Sequence, residues 1–265
     1  LVGPFRITNL YWALFRRLGA QVVYRMALIN GEPGLLRYVD GRIESAQAFV
    51  TDGERIVAIY AVRNPDKPAG LEHLHALRQQ GRGVLMVSGH FMTLEICGRL
   101  LCDHVPLSGM YRRHKDPVME WAVKRGRMRY AQAMFGNGDL RGAVRHLKRG
   151  GFLWYAPDQD MRVKDTVFVP FFGMTASTIT ATHQLARLTG CAVVPFFHRR
   201  EGDRYILRVA PPLEDFPSDD AVADTARVNA AIEAMVREAP AQYLWIHRRF
   251  KRQPGGRSHF YDRPR

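Results

Sequence analysis

This sequence of 265 residues is short of cysteine, short of acidic side chains relative to basic ones, and without a long apolar run. Each shortage excludes something. The three cysteines, Cys97, Cys102 and Cys191, form no C-x-x-C pair and cannot all be joined in disulfides within one chain. That argues for a reducing compartment, with the thiols in packing roles. No stretch of about 18 uncharged apolar residues occurs, so no segment reads as a membrane-spanning helix. The N-terminus carries no signal-peptide pattern, because Arg6, Arg16 and Arg17 break its apolar run. The chain opens on Leu1 instead of methionine, as a fragment or a processed form does. Also missing are the helical H-E-x-x-H spacing of zinc proteases, the Gly-x-Ser-x-Gly nucleophile elbow and a Gly-rich phosphate loop.

What is abundant is positive charge. Thirty-nine Lys and Arg against 25 Asp and Glu give a net charge of +14 and a pI near 10.2. Such a surface attracts polyanions: nucleic acid, anionic lipid headgroups or an acidic carrier protein, and charge alone does not choose among them. A composition that is 46% hydrophobic and 11% aromatic supports a sizeable core and excludes wholesale disorder. The length fits one large or two small domains.

The N-terminal third is the hardest to read. Residues 10 to 29 interleave Trp, Tyr and Arg with apolar side chains, a pattern expected of an amphipathic helix lying in a membrane interface or packing on the domain. Gly, Pro and Asp interrupt residues 31 to 69, where a helix is expected around Ile43 to Phe49 and a strand from Ile56 to Val62. From Gly70 the texture is regular. Helices are predicted over Leu71 to Gln79, residues 93 to 102, Pro117 to about Arg129, Leu140 to Leu147, Thr178 to Leu188, and from Ser218 to about Arg237. Pro117 suits a first helical turn, and Ser218 followed by Asp219 and Asp220 is a strong helix start. Strands are predicted at Val84 to Val87, Pro106 to Tyr111, Phe152 to Ala156, Cys191 to Phe197 and Tyr205 to Val209. The alternation predicts an α/β fold: a largely parallel or mixed central sheet with helices on both faces, forming one domain behind an N-terminal amphipathic segment. The expected divisions are 1–69, 70–255 and a basic tail at 256–265.

The stretch Ser88-Gly89-His90-Phe91-Met92-Thr93-Leu94-Glu95 leaves the strand at 84 to 87, where an α/β sheet usually carries its reactive groups. Two readings stand on spacing alone: a His90–Glu95 dyad, or a structural histidine beside an unrelated glutamate. Five helical positions correspond to about 140° of rotation, so a dyad requires His90 to sit in the turn before the helix. A neutral imidazole accepts a proton at neutral pH, and a carboxylate on its other nitrogen fixes the tautomer. With no elbow serine, the expected nucleophile is the substrate's own hydroxyl. Basic clusters follow at Tyr111-Arg112-Arg113-His114-Lys115 and at Lys124-Arg125-Gly126-Arg127-Met128-Arg129; they read either as phosphate clamps or as a solvated basic face. Asp158 and Asp160 leave another strand end. They are candidate metal ligands without an evident third member, or acceptors that orient arginines or cap a turn, and the second reading is preferred. Val167 to Gly173 reads as an acyl-chain groove or as core, Thr175 to Thr180 as a helix start, and Met92, Met110, Met119 and Met128 as gap-filling core or an apolar pocket lining.

Several of these stretches occur together and in order: Gly89 to Glu95, Tyr111-Arg112, Gly126-Arg127, Trp154 to Asp160, Val167 to Gly173, Ala186 to Gly190 and Gln242 to Lys251. In that order and approximate spacing, over roughly residues 70 to 255, the sequence resembles the late lipid A acyltransferases of Gram-negative bacteria. These are the lauroyl and myristoyl group of the lysophospholipid acyltransferase superfamily. The resemblance implies an enzyme at the cytoplasmic face of the inner membrane, in lipopolysaccharide biosynthesis. It would move a fatty acyl chain from acyl carrier protein to a hydroxyl of an anionic glycolipid precursor, with no cofactor, no metal and no nucleic acid partner. Carried over, His90 is the general base and Glu95 its partner; Arg112, Arg127, Asp158 and Asp160 bind substrate. Phe91-Met92-Thr93 stands where Phe-Gly-Asn is commoner, and the spanning helix with which the family normally begins is not found in residues 1 to 69. Two alternatives are a different acceptor, such as a lysophospholipid or another glycolipid, and a non-enzymatic basic protein binding membranes or nucleic acid. The second draws on the tail His247 to Arg252 with Arg257, Arg263 and Arg265.

Overall fold

In a computed structural model the chain divides into two units, Leu1–Asp66 and Lys67–Arg265. The structure describes residues 22–29, 32–39, 42–63, 68–161, 164–202, 204–257 and 259–262, with positions 9, 12, 13 and 16 before them. Arg263 and Arg265 lie outside the described residues, as does most of the segment from 10 to 21.

The N-terminal unit is a four-stranded antiparallel meander of β1 (Val22–Ile29), β2 (Glu32–Val39), β3 (Arg42–Thr51) and β4 (Ile56–Arg63), in that order across the sheet. It corrects two expectations. Residues 22 to 29 are a strand instead of the second half of a helix, and 43 to 49 lie in β3. Their β-branched and aromatic content (Val22, Val23, Tyr24, Ile43, Phe49, Val50) suits a pleated surface. In β3 the buried side chains are Ser45 and Gln47, the period of two of a strand. The strand expected at Ile56 to Val62 is β4.

The second unit alternates helices and strands. In order these are α1 (Leu71–Gln79), β5 (Val84–Val87), α2 (Leu94–Leu101), β6 (Leu107–Tyr111), α3 (Pro117–Arg127), β7 (Met134–Gly136), α4 (Leu140–Lys148) and β8 (Phe152–Tyr155). There follow β9 (Thr166–Phe171), β10 (Met174–Ile179), α5 (Ala181–Thr189), β11 (Ala192–Glu201), β12 (Arg204–Val209), α6 (Ala221–Glu238) and a small ribbon of β13 (Arg252–Gln253) and β14 (Gly256–Arg257). Six strands form one sheet in the order β12-β11-β5-β8-β6-β7, every pair parallel except β12 against β11. This is the mixed α/β sheet expected from the alternation. All four residues of β5 are buried because both faces of the sheet are covered. Leu85 and Val87 meet Leu147 of α4, Leu185 of α5 and Ile232 of α6; Val84 and Met86 meet Leu74 of α1 and Leu101 of α2.

The helix expected from Thr178 begins only at Ala181. Phe172 (φ 54°) and Gly173 (φ 73°) form a two-residue turn with both φ values positive, the primed geometry that matches strand twist. It folds β9 and β10 into a hairpin, so Val169 and Phe171 are core and the threonines of 175 to 180 are largely strand.

One close approach fixes how α4 seats on the sheet. A Cβ placed on Gly83 would lie 2.1 Å from the Leu147 carbonyl oxygen, whereas one on Gly138 meets nothing within 4 Å. Gly83→Ala should therefore cost about 2 kcal/mol, or roughly 5 °C in Tm by calorimetry, with Gly138→Ala nearly neutral. Equal melting temperatures would show that this contact does not constrain the packing.

Candidate functional site

The parallel order β5-β8-β6 brings the carboxyl ends of three strands to one edge, and each delivers part of the site. Beyond β5 the chain makes a turn through Ser88, Gly89 and His90 before α2 starts at Leu94. Gly89 is packed tightly: a Cβ there would meet Ile232, Phe91 and Tyr243 side chains at 3.1–3.2 Å. His90 thus occupies the turn ahead of the helix, as a dyad requires. Its partner is not Glu95.

Beyond β8, Pro157 ends the strand and Asp158 follows, 1% exposed. Its Oδ2 accepts the His90 backbone N–H at 2.8 Å, and its Oδ1 lies 2.6 Å from His90 Nδ1. The Tyr243 hydroxyl donates to Oδ2 at 2.9 Å. Because the carboxylate faces Nδ1, that nitrogen carries the proton and Nε2 is left as the acceptor. The imidazole is partly exposed (28%) above a buried anion. Burial works against its charged form, but the hydrogen bond and charge of Asp158 outweigh it and raise the His90 pKa above the usual 6.5. Burial alone would raise the pKa of Asp158; His90 and the Tyr243 hydroxyl more than offset it, holding the carboxyl below its ordinary value of 3.8. For stability the signs differ. The His90 contribution is complete below pH 6.5 and is lost as pH rises through its folded pKa. The Asp158 contribution is present above pH 3.8 and is lost as pH falls through its folded pKa.

Glu95 lies in the first turn of α2, 59% exposed, and its carboxylate takes Arg127 in a two-point pair, Nε to Oε2 at 3.2 Å and Nη2 to Oε1. The expected reach back to His90 is not made, although His90 sits in the turn: Glu95 is paired with Arg127. A carboxylate on the neighbouring strand takes the place instead. Arg127 also lies over the Tyr111 ring at 5.8 Å. Arg112 is exposed and makes no ion pair among the described residues. The structure therefore brings His90 together with Asp158, and Glu95 with Arg127. Asp160 stands apart, its Oδ1 accepting Arg252 Nε at 2.6 Å and its backbone N–H donating to His247 Nε2 at 2.8 Å. That matches the reading of Asp160 as an acceptor orienting an arginine.

Four backbone amides in and after the His90 turn are engaged within the chain. Those of His90, Phe91, Met92 and Leu94 donate to Asp158, Gly89, Gln242 and Phe91 respectively. Within His247 to Arg252, Arg248 is exposed but two other arginines are engaged. Arg249 is 2% exposed, donating to the Ser177 carbonyl and the Thr178 hydroxyl, and Arg252 is held by Asp160. Tyr243 is not among the expected site residues, and Arg249 is expected only in a basic tail. The signal available was the return of Gln242 to Phe250, whose backbone joins the His90 turn through Met92 N–H to Gln242 O and Leu244 N–H to His90 O.

Beside the Glu95–Arg127 pair a small apolar groove of about 50 Å³ runs between α2, β6 and β8, walled by Leu94, Gly98, Leu107, Met110, Met134 and Trp154. Of the four methionines read as gap-filling core or pocket lining, Met110 lines this groove. Met92, Met119 and Met128 are exposed.

A partly exposed imidazole backed by a buried carboxylate, at the carboxyl edge of a parallel sheet, defines a proton-accepting site on an α/β scaffold. A sequence profile for bacterial lipid A biosynthesis acyltransferases matches residues 52–252. The chain belongs to that family. It is 43% identical over 195 residues to a lipid A biosynthesis palmitoleoyltransferase of Escherichia coli, covering 72% of this chain and 63% of the relative. To the lauroyltransferase of the same organism it is 41% identical over 190 residues, covering 71% and 62%. A myristoyltransferase matches at 26% over 211 residues. The chain spans about three fifths of the length of the first two relatives.

Removing the buried anion leaves burial to dominate His90. An NMR titration should place the wild-type imidazole pKa above 6.5 and that of Asp158→Asn below it. An unchanged midpoint would mean that Asp158 does not set the charge of His90.

Proposed function

We propose that this chain is a lipid A biosynthesis acyltransferase that moves a fatty acyl chain from acyl carrier protein to a hydroxyl of an anionic lipid A precursor at the inner membrane's cytoplasmic face. The observation that carries the reading is the His90–Asp158 pair in a chain of this family, which also holds an apolar groove beside Glu95 and Arg127. His90 Nε2 takes the proton of the acceptor hydroxyl as its oxygen attacks the thioester carbonyl carbon. Asp158 holds the tautomer and stabilises the imidazolium. The tetrahedral adduct then expels the carrier thiolate, which takes the proton back from His90, leaving an ester and a free thiol. Proton acceptor, hydroxyl and thioester suffice for this balance. The groove suits a hydrocarbon chain, since its walls are apolar and Glu95 and Arg127 stand at its rim. Arg127 and the exposed Arg112 supply cationic groups for phosphate on the precursor or on the carrier's phosphopantetheine. The net charge of +14 favours approach of both anionic partners.

With purified acyl carrier protein as donor, His90→Ala and Asp158→Asn should each lower turnover by about a hundredfold or more while the fold persists. The wild-type rate should rise with pH through a midpoint above 6.5, because only neutral His90 accepts a proton. Glu95→Ala should raise KM through loss of Arg127 positioning without moving that midpoint. A fully active His90→Ala protein would overturn the mechanism. Lipid A of unchanged mass in cells lacking the protein would redirect the reading to another acceptor, such as a lysophospholipid.

A further inference from the structure

Helix α3 is built inside out for a protein surrounded by water. None of its side chains is fully buried. Its inner stripe, Glu120, Val123 and Arg127, is only partly covered and is tied down by polar contacts: Tyr111 Oη donates to Glu120 at 2.5 Å, the His114 amide donates to the same carboxylate at 3.0 Å, and Arg127 holds Glu95. The opposite stripe runs Val118, Trp121, Ala122 and Arg125 at helical spacing, with Met119 beside it. Val118 is 70% exposed, Met119 51% and Trp121 61%. An ordinary surface helix turns its apolar stripe to the core and its charges to water. Here the large apolar groups point away from the protein.

The charges around that stripe have one sign. From Tyr111 to Tyr130 there are seven Lys and Arg (112, 113, 115, 124, 125, 127, 129) against two acids, Asp116 and Glu120, a balance of 7 − 2 = +5. Both acids are engaged within the chain, Asp116 capping the helix through the Met119 amide and Glu120 as above. The basic groups at the outer face stay open: Lys115, Lys124 and Arg125 are exposed, and Arg125 stacks over Trp121 at 5.2 Å. A short helix with exposed Trp, Met and Val, flanked by free cations, matches the interface of an anionic bilayer: apolar side chains at the acyl boundary, Trp at headgroup depth and cations on phosphate. An acidic protein partner would match the charge but not the outward apolar triad.

We infer that α3 is the element by which the catalytic unit docks on an anionic lipid surface, with Val118, Met119 and Trp121 entering the interface and Lys115, Lys124 and Arg125 on headgroup phosphates. The helix follows β6 and so stands at the same sheet edge as His90 and Asp158, while Arg127 at its end lies on the rim of the apolar groove. Docking there would present that edge to a substrate embedded in the membrane. This last clause rests on the acyltransferase reading; the binding itself does not.

The full chain should co-sediment with vesicles of phosphatidylglycerol and phosphatidylethanolamine. Serine at all three of Val118, Met119 and Trp121 should weaken that partition on the order of a hundredfold. Lys124→Ala with Arg125→Ala should weaken it roughly thirtyfold, with no effect on phosphatidylcholine vesicles. Trp121 emission should shift to the blue on binding and be quenched by brominated lipid, a signal lost in Trp121→Phe. Because the three apolar residues touch no core, the serine variant should keep its melting temperature and its turnover of detergent-dispersed substrate. Vesicle binding by that variant within about twofold of the wild type, or loss of acyl carrier protein binding in place of vesicle binding, overturns the inference. A wild type that binds vesicles through α3 but transfers no acyl chain would sink the functional reading and leave this one standing.

Discussion

The carboxylate of Asp158 is the constraint on which the site depends. It is buried at the end of β8 and accepts three hydrogen bonds, from the His90 amide, the His90 ring and the Tyr243 hydroxyl. A buried anion persists only where its lone pairs are met, and here two donors come from His90 in the turn after β5 and the third from Tyr243 in the C-terminal segment. The amide fixes the path of the turn after β5, the ring is aimed by the same group, and Tyr243 ties the C-terminal segment to both. Tyr243 also packs edge-on against Phe91 at 5.6 Å. The turn, the base and the returning segment therefore share one electrostatic anchor.

Around that anchor the charged groups sort by depth. His90–Asp158 is deep, with its shifts set by burial and mutual pairing. Glu95–Arg127 is shallow and solvent-screened, a pair better suited to holding an arginine at a groove rim than to tuning a proton acceptor. Arg249 is buried without an ion pair among the described residues; burial depresses its pKa while Tyr243, Asp158 and Asp160 oppose the shift. Farthest out, α3 carries free cations and apolar side chains together. The charged groups thus range from a partly exposed histidine on a buried carboxylate to exposed cations beside apolar side chains on α3.

Legibility in the sequence followed the range of the forces involved. The strand at 84 to 87 and the helix from 71 to 79 were readable because a buried strand and an amphipathic helix each write their period locally. Thr178 misled, because a primed turn at Phe172-Gly173 recruits the threonines into a hairpin. Residues 43 to 49 misled because cross-strand pairing with β2 and β4 decides a segment whose composition suits either state. His90 was recognisable from its place after a strand, and Asp158 from its place after another. Their partnership was not, because it depends on β8 lying beside β5, and nothing in either stretch encodes that adjacency.

By itself the sequence determined the alternating α/β pattern, the strongly basic character, the His90 turn and the order of motifs that marks the family, all properties of local composition and spacing. The tertiary structure alone decided which acid serves His90, because strand order places Asp158 within hydrogen-bond reach while Glu95 is taken by Arg127. It alone decided that α3 turns Val118, Met119 and Trp121 outward, since which face of an amphipathic helix meets the core depends on what else is there to pack against it.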